Sequence, residues 1–255
     1  MSALVGRTAV VTGAGTGIGR AIALRLASAG ASVALLGRTR GSLELVAGEA
    51  KSETLVHPVD VRDRVAVDAA LDAAANRFGK LHILVANAGI GGPDEQGGVD
   101  RFDDIVRTNL HGAWYSARAF LRHVAPGPEP RQIVVISSCV ARFGVPGIAA
   151  YSAAKAGQLG LVRSLAAELA PQGVRVNAIL PGWVDTQMAA DRMREIATAS
   201  GNPYEATRRE LTQGVPLQRI SEPDEIAGLV EFLTSPAGAA FTGQSLDANN
   251  GAWMG

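Results

Sequence analysis

Six short apolar runs punctuate the 255-residue chain: TAVVT (8–12), SVALL (32–36), TLVHPV (54–59), HILVAN (82–87), QIVVIS (132–137) and VRVNAIL (174–180). Most are apolar at successive rather than alternate positions and rich in β-branched residues, which predicts strands buried on both faces. Ala- and Leu-rich segments of helical period separate them and are expected to start near Gly17, Gly41, Asp63, Asp100, Tyr151 and Pro223. This alternation predicts an α/β fold, a doubly wound Rossmann-type parallel sheet flanked by helices and closed by right-handed crossovers. Ligands of such sheets lie beyond the carboxyl ends of the strands, so chemistry is sought just after each run. The loop APGPEP at 125–130 is too short to link two domains, and one domain over 1–255 is expected.

Composition narrows the classes. A hydrophobic content of 47% supplies a continuous core, and 24 basic against 24 acidic residues without a run of either sign disfavour nucleic acid and membrane surfaces as partners. The single cysteine, Cys139, excludes an internal disulfide framework and reads as a small filler. No charged leader precedes a long apolar segment, and no apolar run approaches the roughly 20 residues that span a bilayer, so a cytoplasmic protein is expected. No metal site is expected.

The first strand runs into TGAGTGIG, Thr12 to Gly19, and a helical segment follows. Glycines at 13, 17 and 19 permit a tight turn, close approach of a pyrophosphate to the backbone and close helix-on-sheet packing, while the helix N-terminus attracts phosphate. The spacing is G-x-x-x-G-x-G rather than the commoner G-x-G-x-x-G. An NAD site places an acidic residue at the end of the second strand to hold the ribose hydroxyls. Here that strand ends LLGRTR, with Gly37 in the place of the acid and Arg38 after it. A guanidinium with no carboxylate beside it suits a 2′-phosphate, so NADP(H) is favoured over NAD(H); Arg40 is a weaker second candidate. Asp60 and Val61, after the third strand, are placed to border the adenine, although an Asp there also serves as an ordinary cap.

In AYSAAKAG, Tyr151 and Lys155 stand four residues apart, about one helical turn, and share a face. Three tyrosines and three lysines in the chain give roughly 0.04 accidental pairs at this spacing. Tyrosine ionises near 10 in water, and an adjacent ammonium stabilises the phenolate, so Lys155 is expected to shift Tyr151 toward acid–base work. Ser137 and Ser138 end the strand before this helix; one is expected to meet a substrate carbonyl and the other to bond locally to backbone.

TGAGTGIG, NAG at 87–89, RTNLHG with Asn109, ISS with Ser138, YSAAK and PGWVDT at 181–186 resemble, in order and spacing, the motifs of the short-chain dehydrogenase/reductase superfamily over essentially the whole chain. The resemblance implies a seven-stranded sheet, a homotetramer and an NADP(H)-dependent oxidoreductase interconverting a ketone and a secondary alcohol. It implies Tyr151 as proton donor or acceptor, Lys155 as its modulator and ribose anchor, Ser138 as carbonyl-binding donor and Asn109 as carrier of a relay water. Cofactor contacts are implied for Gly13, Thr16, Gly17, Ile18, Gly19, Arg38, Asp60, Val61, Gly89, Tyr151, Lys155, Pro181, Gly182 and Val184. Asn87 is expected to brace the central strand beside the cofactor and Thr186 to meet the nicotinamide carboxamide. The segment 183–215, with Met188, Met193, Ile196, Tyr204 and Leu211, reads as a helical lid over a partly hydrophobic substrate. Candidate substrates are 3-oxoacyl thioesters and partly hydrophobic ketones; interspersed charges on the lid argue against an acidic carrier as docking partner. An NAD-dependent alcohol or sugar dehydrogenase and, less so, a non-catalytic nucleotide sensor are the alternatives. The tail LDANNGAWMG departs from the Asp-Gly-Gly of many relatives and alters either a turn near the pocket or a subunit contact.

Overall fold

The computed structural model describes residues 4–127 and 130–255; the expected loop at 125–130 therefore falls partly outside the described residues. Seven parallel strands form one sheet in the order β3-β2-β1-β4-β7-β8-β9. Their ranges are β1 Thr8–Thr12, β2 Ser32–Gly37, β3 Thr54–Pro58, β4 Ile83–Ala86, β7 Arg131–Ile136, β8 Val174–Pro181 and β9 Ser245–Ala248. The six apolar runs are the first six of these, within a residue or two at each end. Every residue of β1, β4 and β7 is buried, as strands covered on both faces must be.

Alternate residues feed two separate cores. Val10 of β1 packs with helices α3 (Arg64–Phe78), α5 (Gly112–Leu121) and α6 (Ala149–Leu169) on one face. Its neighbours Ala9 and Val11 pack with α1 (Gly17–Ser28), α2 (Arg40–Glu49) and α9 (Pro223–Thr234) on the other. The period of two along each strand thus serves two helical layers at once. Asp63 caps α3 through its side chain, accepting from Val65 and Ala66, as a residue at that position should.

Two regions differ from the expected pattern. The helix expected near Asp100 follows a small hairpin, β5 (Glu95–Gln96) with β6 (Val99–Asp100), and starts at Phe102 as α4 (Phe102–Val106). It continues through a π-helical turn, Arg107–His111, into α5, so one wide turn inside a long helix carries Asn109. Beyond β8 lie α7 (Gln187–Ser200) and α8 (Tyr204–Gln213), in the segment read as a lid. Among the described residues no helix is long and apolar enough to cross a membrane.

The chain crosses the sheet between β3 and β4, so the carboxyl ends of β1 and β4 diverge into a crevice, which is where an open α/β sheet offers a binding site. Phe120 of α5 is fully buried against this sheet. Phe120→Ala is expected to cost about 3–5 kcal/mol in urea unfolding through the cavity it leaves.

Candidate active site

A cleft of about 290 Å³ opens at that crevice, lined among others by Gly13, Thr16, Arg38, Asn87, Tyr151 and Thr186. Of the residues expected at the cofactor, Gly13, Thr16, Gly17, Ile18, Gly19, Arg38, Asp60, Val61, Asn87, Gly89, Tyr151, Lys155 and Thr186 all line it. Pro181, Gly182 and Val184 are not in its wall. They belong to the strand end and turn that lead to Thr186, with Val184 buried and bridged to Ser221.

The glycines earn their places sterically. Gly13 has φ of +66° and Gly17 φ of +51°, in the left-handed region that a Cβ disfavours. A Cβ on Gly19 would stand 2.1 Å from the Gly13 carbonyl oxygen and 2.4 Å from Nδ2 of Asn87, so only glycine lets α1 approach the end of β1. Asn87 locks the same corner: Nδ2 donates to the carbonyls of Thr12 (2.9 Å) and Gly13 (3.3 Å). Thr12 answers with Oγ1, which accepts from the backbone N–H groups of Asn87 and Ala88, both at 3.0 Å. The role of Thr12 was not anticipated, and its position before the first glycine is the only trace of it in the sequence. The result is a rigid cradle of backbone at the N-terminus of a twelve-residue helix, which fits a pyrophosphate.

Arg38 stands exposed on the rim of the cleft and makes no hydrogen bond or ion pair among the described residues, whereas Arg40 is engaged with Glu44 at 3.6 Å. Of the two arginines, Arg38 is the one available to a ligand. Asp60 is held below the usual carboxylate range, first by its hydrogen bonds with Arg62 and further by the charges of Arg62 and Arg38.

At the opposite end of the cleft, β7 and α6 are stitched together. Ser137 Oγ donates to the Lys155 carbonyl at 3.0 Å, and Lys155 Nζ donates to the Ile136 carbonyl at 2.9 Å. Both serines bond to backbone, since Ser138 Oγ accepts from Val140 N–H at 3.4 Å, and of the two it is Ser137 that lines the cleft. The Ser138 hydroxyl also acts on the Tyr151 phenol, favouring its ionised form. Lys155 is buried, with Nζ 5.5 Å from the centroid of the Tyr151 ring.

The expected influence of Lys155 on Tyr151 is not what the chain alone displays. Desolvation pushes the phenol up to about 12, opposed by the nearby Ser138 hydroxyl, and desolvation likewise pushes the Lys155 ammonium down to about 8. Desolvation outweighs attraction because the ammonium is turned toward the Ile136 carbonyl rather than the phenol oxygen. Tyr151 is consequently a proton-bearing acid at neutral pH.

Asn109 lies fully buried in the π-helical turn. Its Oδ1 accepts from Ile90 N–H at 2.8 Å and its Nδ2 donates to the Ile90 carbonyl at 2.9 Å, so the side-chain amide clamps the loop after β4. Its main-chain carbonyl accepts from Gln158 Nε2 at 2.8 Å. The Asn109 side chain thus holds backbone, and the implied water-carrying part is not visible in these bonds. Thr186 caps α7, accepting from Ala189 N–H at 3.2 Å.

The unusual tail packs on the turn that leads from β8 to Thr186 and on residues 219–221. A Cβ on Gly182 would meet Asn249 Cα at 3.0 Å, and Asn250 Nδ2 donates to the Arg219 carbonyl and to Ser221 Oγ. Asn250 has φ of +56°, which asparagine tolerates better than most residues.

Residues 13–252 match the family model described as Enoyl-(Acyl carrier protein) reductase. The chain is 35% identical to the 3-oxoacyl-(acyl-carrier-protein) reductase FabG of Vibrio cholerae, over 98% of this chain and 99% of that one. The chain belongs to the short-chain dehydrogenase/reductase family. Among solved structures, a 3-ketoacyl-(acyl-carrier-protein) reductase from Brucella melitensis complexed with NADH is similar with a TM-score of 0.87 and 34% identity, covering 98% of this chain and 100% of that one. A variant actinorhodin polyketide ketoreductase with NADPH gives 0.88 and 32%, over 96% and 97%. This short-chain dehydrogenase/reductase is therefore an enzyme of the oxidoreductase class.

Two outcomes test the site. Gly19→Ala is expected to weaken dinucleotide binding on the order of tenfold or more, measured by fluorescence titration, because backbone at Gly13 must move. Lys155 has a folded pKa of about 8 against 10.5 unfolded, so the unfolded state binds more protons between these values and stability from this residue rises with pH across that window. Lys155→Met is expected to show its most favourable stability relative to the parent at about pH 7, with that advantage shrinking by about pH 9.5 in parallel urea titrations.

Proposed function

We propose that this enzyme reduces a ketone to a secondary alcohol with NADP(H), and oxidises the alcohol in reverse. The observation that carries the reading is Tyr151 and buried Lys155, one turn apart on α6, lining one cleft with the glycine cradle, with the Ser138 hydroxyl acting on the phenol. Relatives solved with NADPH and with NADH support a nicotinamide dinucleotide here; the choice of NADP(H) rests on Gly37 and the unengaged Arg38. The reduced nicotinamide, when bound, supplies the hydride.

The chain's residues do the rest. The Gly13–Gly19 turn receives the pyrophosphate, Arg38 the 2′-phosphate, and Asp60 and Val61 border the adenine end. Lys155, released from Ile136, binds ribose hydroxyls and brings its charge toward the phenol. Ser138 donates to the ketone oxygen and polarises the carbonyl, and Tyr151, kept protonated by desolvation, gives its proton to the developing alkoxide. In oxidation Tyr151 must first lose that proton, which the approach of the Lys155 ammonium favours. Asn109 serves this chemistry by holding Ile90, and its main-chain carbonyl, with Gln158, remains the point at which a relay water would attach.

The helices α7 and α8 form the lid. Met188 is exposed and lines the cleft, whereas Met193 is buried in the lid's own packing, so Met188 is the apolar side chain offered to substrate. A 3-oxoacyl thioester or a partly hydrophobic ketone suits that wall. Lid charges are largely self-neutralised, Arg192 with Glu195 at 3.0 Å, Arg194 with Asp191 at 2.5 Å and Arg208 with Asp185 at 3.5 Å, which favours a free or coenzyme-bound substrate over an acidic carrier. A homotetramer is the assembly expected from the family, to be read by light scattering.

Tyr151→Phe is expected to lower kcat for ketone reduction by at least about a thousandfold while leaving the Kd for NADPH within about threefold. Because the reduction needs a neutral phenol and a charged Lys155, its rate is expected to fall above about pH 8, as Lys155 deprotonates. Arg38→Ala is expected to raise KM for NADPH at least about tenfold and KM for NADH hardly at all; equal effects on both would remove the phosphate assignment.

A further inference from the structure

We propose that Asp94 is a positioning residue for Tyr151, acting as the N-terminal cap that α6 lacks in its own sequence. This inference rests on Tyr151 being the proton donor. The residue preceding α6, Ile148, has no side chain able to accept a hydrogen bond, so the first N–H groups of the catalytic helix need a partner from elsewhere. Asp94, 55 residues earlier in the loop after β4, supplies both oxygens: Oδ2 accepts from Ala149 N–H at 2.7 Å and Oδ1 from Ala150 N–H at 2.8 Å. Ala150 is the residue immediately before Tyr151. The backbone N–H of Asp94 also donates to the Gly147 carbonyl at 2.9 Å, so the loop grips the helix entrance at three points.

A second residue fixes the loop itself. Arg101, at the start of α4, donates from its guanidinium to the carbonyls of Gly91 (3.1 Å) and Pro93 (3.4 Å), and its N–H donates to the Asp94 carbonyl at 2.8 Å. Gly92, with φ of +109°, leaves the space that this guanidinium fills, since a Cβ there would stand 2.7 Å from Nη1 of Arg101. The loop so held places Gly91 against the reacting side chain: a Cβ on Gly91 would lie 3.8 Å from Cε2 of Tyr151 and 3.5 Å from Sδ of Met188. The wall facing the substrate side of Tyr151 and the helix carrying Tyr151 are thereby one mechanical unit, joined at the Asp94 carboxylate. A charged cap also stands at the end of the helix where the backbone dipole is positive, which strengthens both bonds.

The test compares Asp94→Ala and Asp94→Asn with the parent enzyme. Asp94→Ala is expected to lower kcat for ketone reduction about tenfold or more, with the Kd for NADPH changed less than about twofold. Asn keeps one acceptor oxygen of the two, and Asp94→Asn is expected to recover a substantial part of that kcat. Hydrogen–deuterium exchange on the same proteins is expected to quicken at the amides of residues 149–152 in Asp94→Ala while the strands β1, β4 and β7 keep their protection. Unchanged kcat with unchanged exchange at 149–152 would overturn the proposal, as would a kcat loss accompanied by equal loss of NADPH affinity and of protection throughout the sheet. The exchange measurement decides the capping role even if Tyr151→Phe were to retain turnover, in which case the reading of Tyr151 as the acid fails separately.

Discussion

A lysine ammonium held in the interior, one helical turn from a half-buried, desolvated phenol, is the constraint around which this site is built. Charged groups are costly to desolvate, and the cost is met only when donors find acceptors. Lys155 is supported by the Ile136 carbonyl and Tyr151 by the Ser138 hydroxyl, both at the carboxyl end of β7. The strand must therefore end where α6 begins its second turn, and the bond from Ser137 to the Lys155 carbonyl fixes that register from the other direction. A sheet buried on both faces provides the rigidity, because neither layer of helices can shift without disturbing a close-packed core.

The two halves of the cleft use different physics. At the glycine turn, backbone geometry does the work: side chains are absent where a phosphate must approach, and Asn87 and Thr12 consume the strand-end groups that would otherwise compete. At α6, desolvation does the work, keeping a phenol protonated until charge is delivered to it. In the proposed mechanism reduction uses that resting state directly, while oxidation must first overcome it. Relatives of the chain include proteins named as 3-oxoacyl and polyketide ketoreductases.

Much of this was legible in the sequence because it depends on local pattern. The six apolar runs located six strands, and the glycine turn and the pair Tyr151 and Lys155 stood out by spacing, whereas the choice of Ser138 over Ser137 came only from the family resemblance. The seventh strand, SLDA at 245–248, was not visible as a run, since it is four residues long at the sheet edge and none of it is fully buried. The hairpin at 95–100 and the π-helical turn around Asn109 follow from tertiary contacts that no periodicity displays. Asp94 caps a helix 55 residues away, and Arg101 threads a loop; neither bond has a local signature. The sign of the shift at Tyr151 was misjudged for a related reason. Spacing shows that two groups share a face, but burial, and the direction in which Lys155 Nζ turns, arise only when the sheet and helix are assembled.

The central claim is that the fold itself holds the Tyr151 phenol in its protonated form, and its most direct measurement is an NMR titration of the chain carrying tyrosine labelled with 13C at Cζ, with the Tyr151 signal assigned by its loss in Tyr151→Phe. The account requires this phenol, in the absence of dinucleotide, to ionise well above the ordinary value of about 10, toward about 12. Ionisation at or below that ordinary value would contradict it, because attraction from Lys155 would then already exceed the cost of burial.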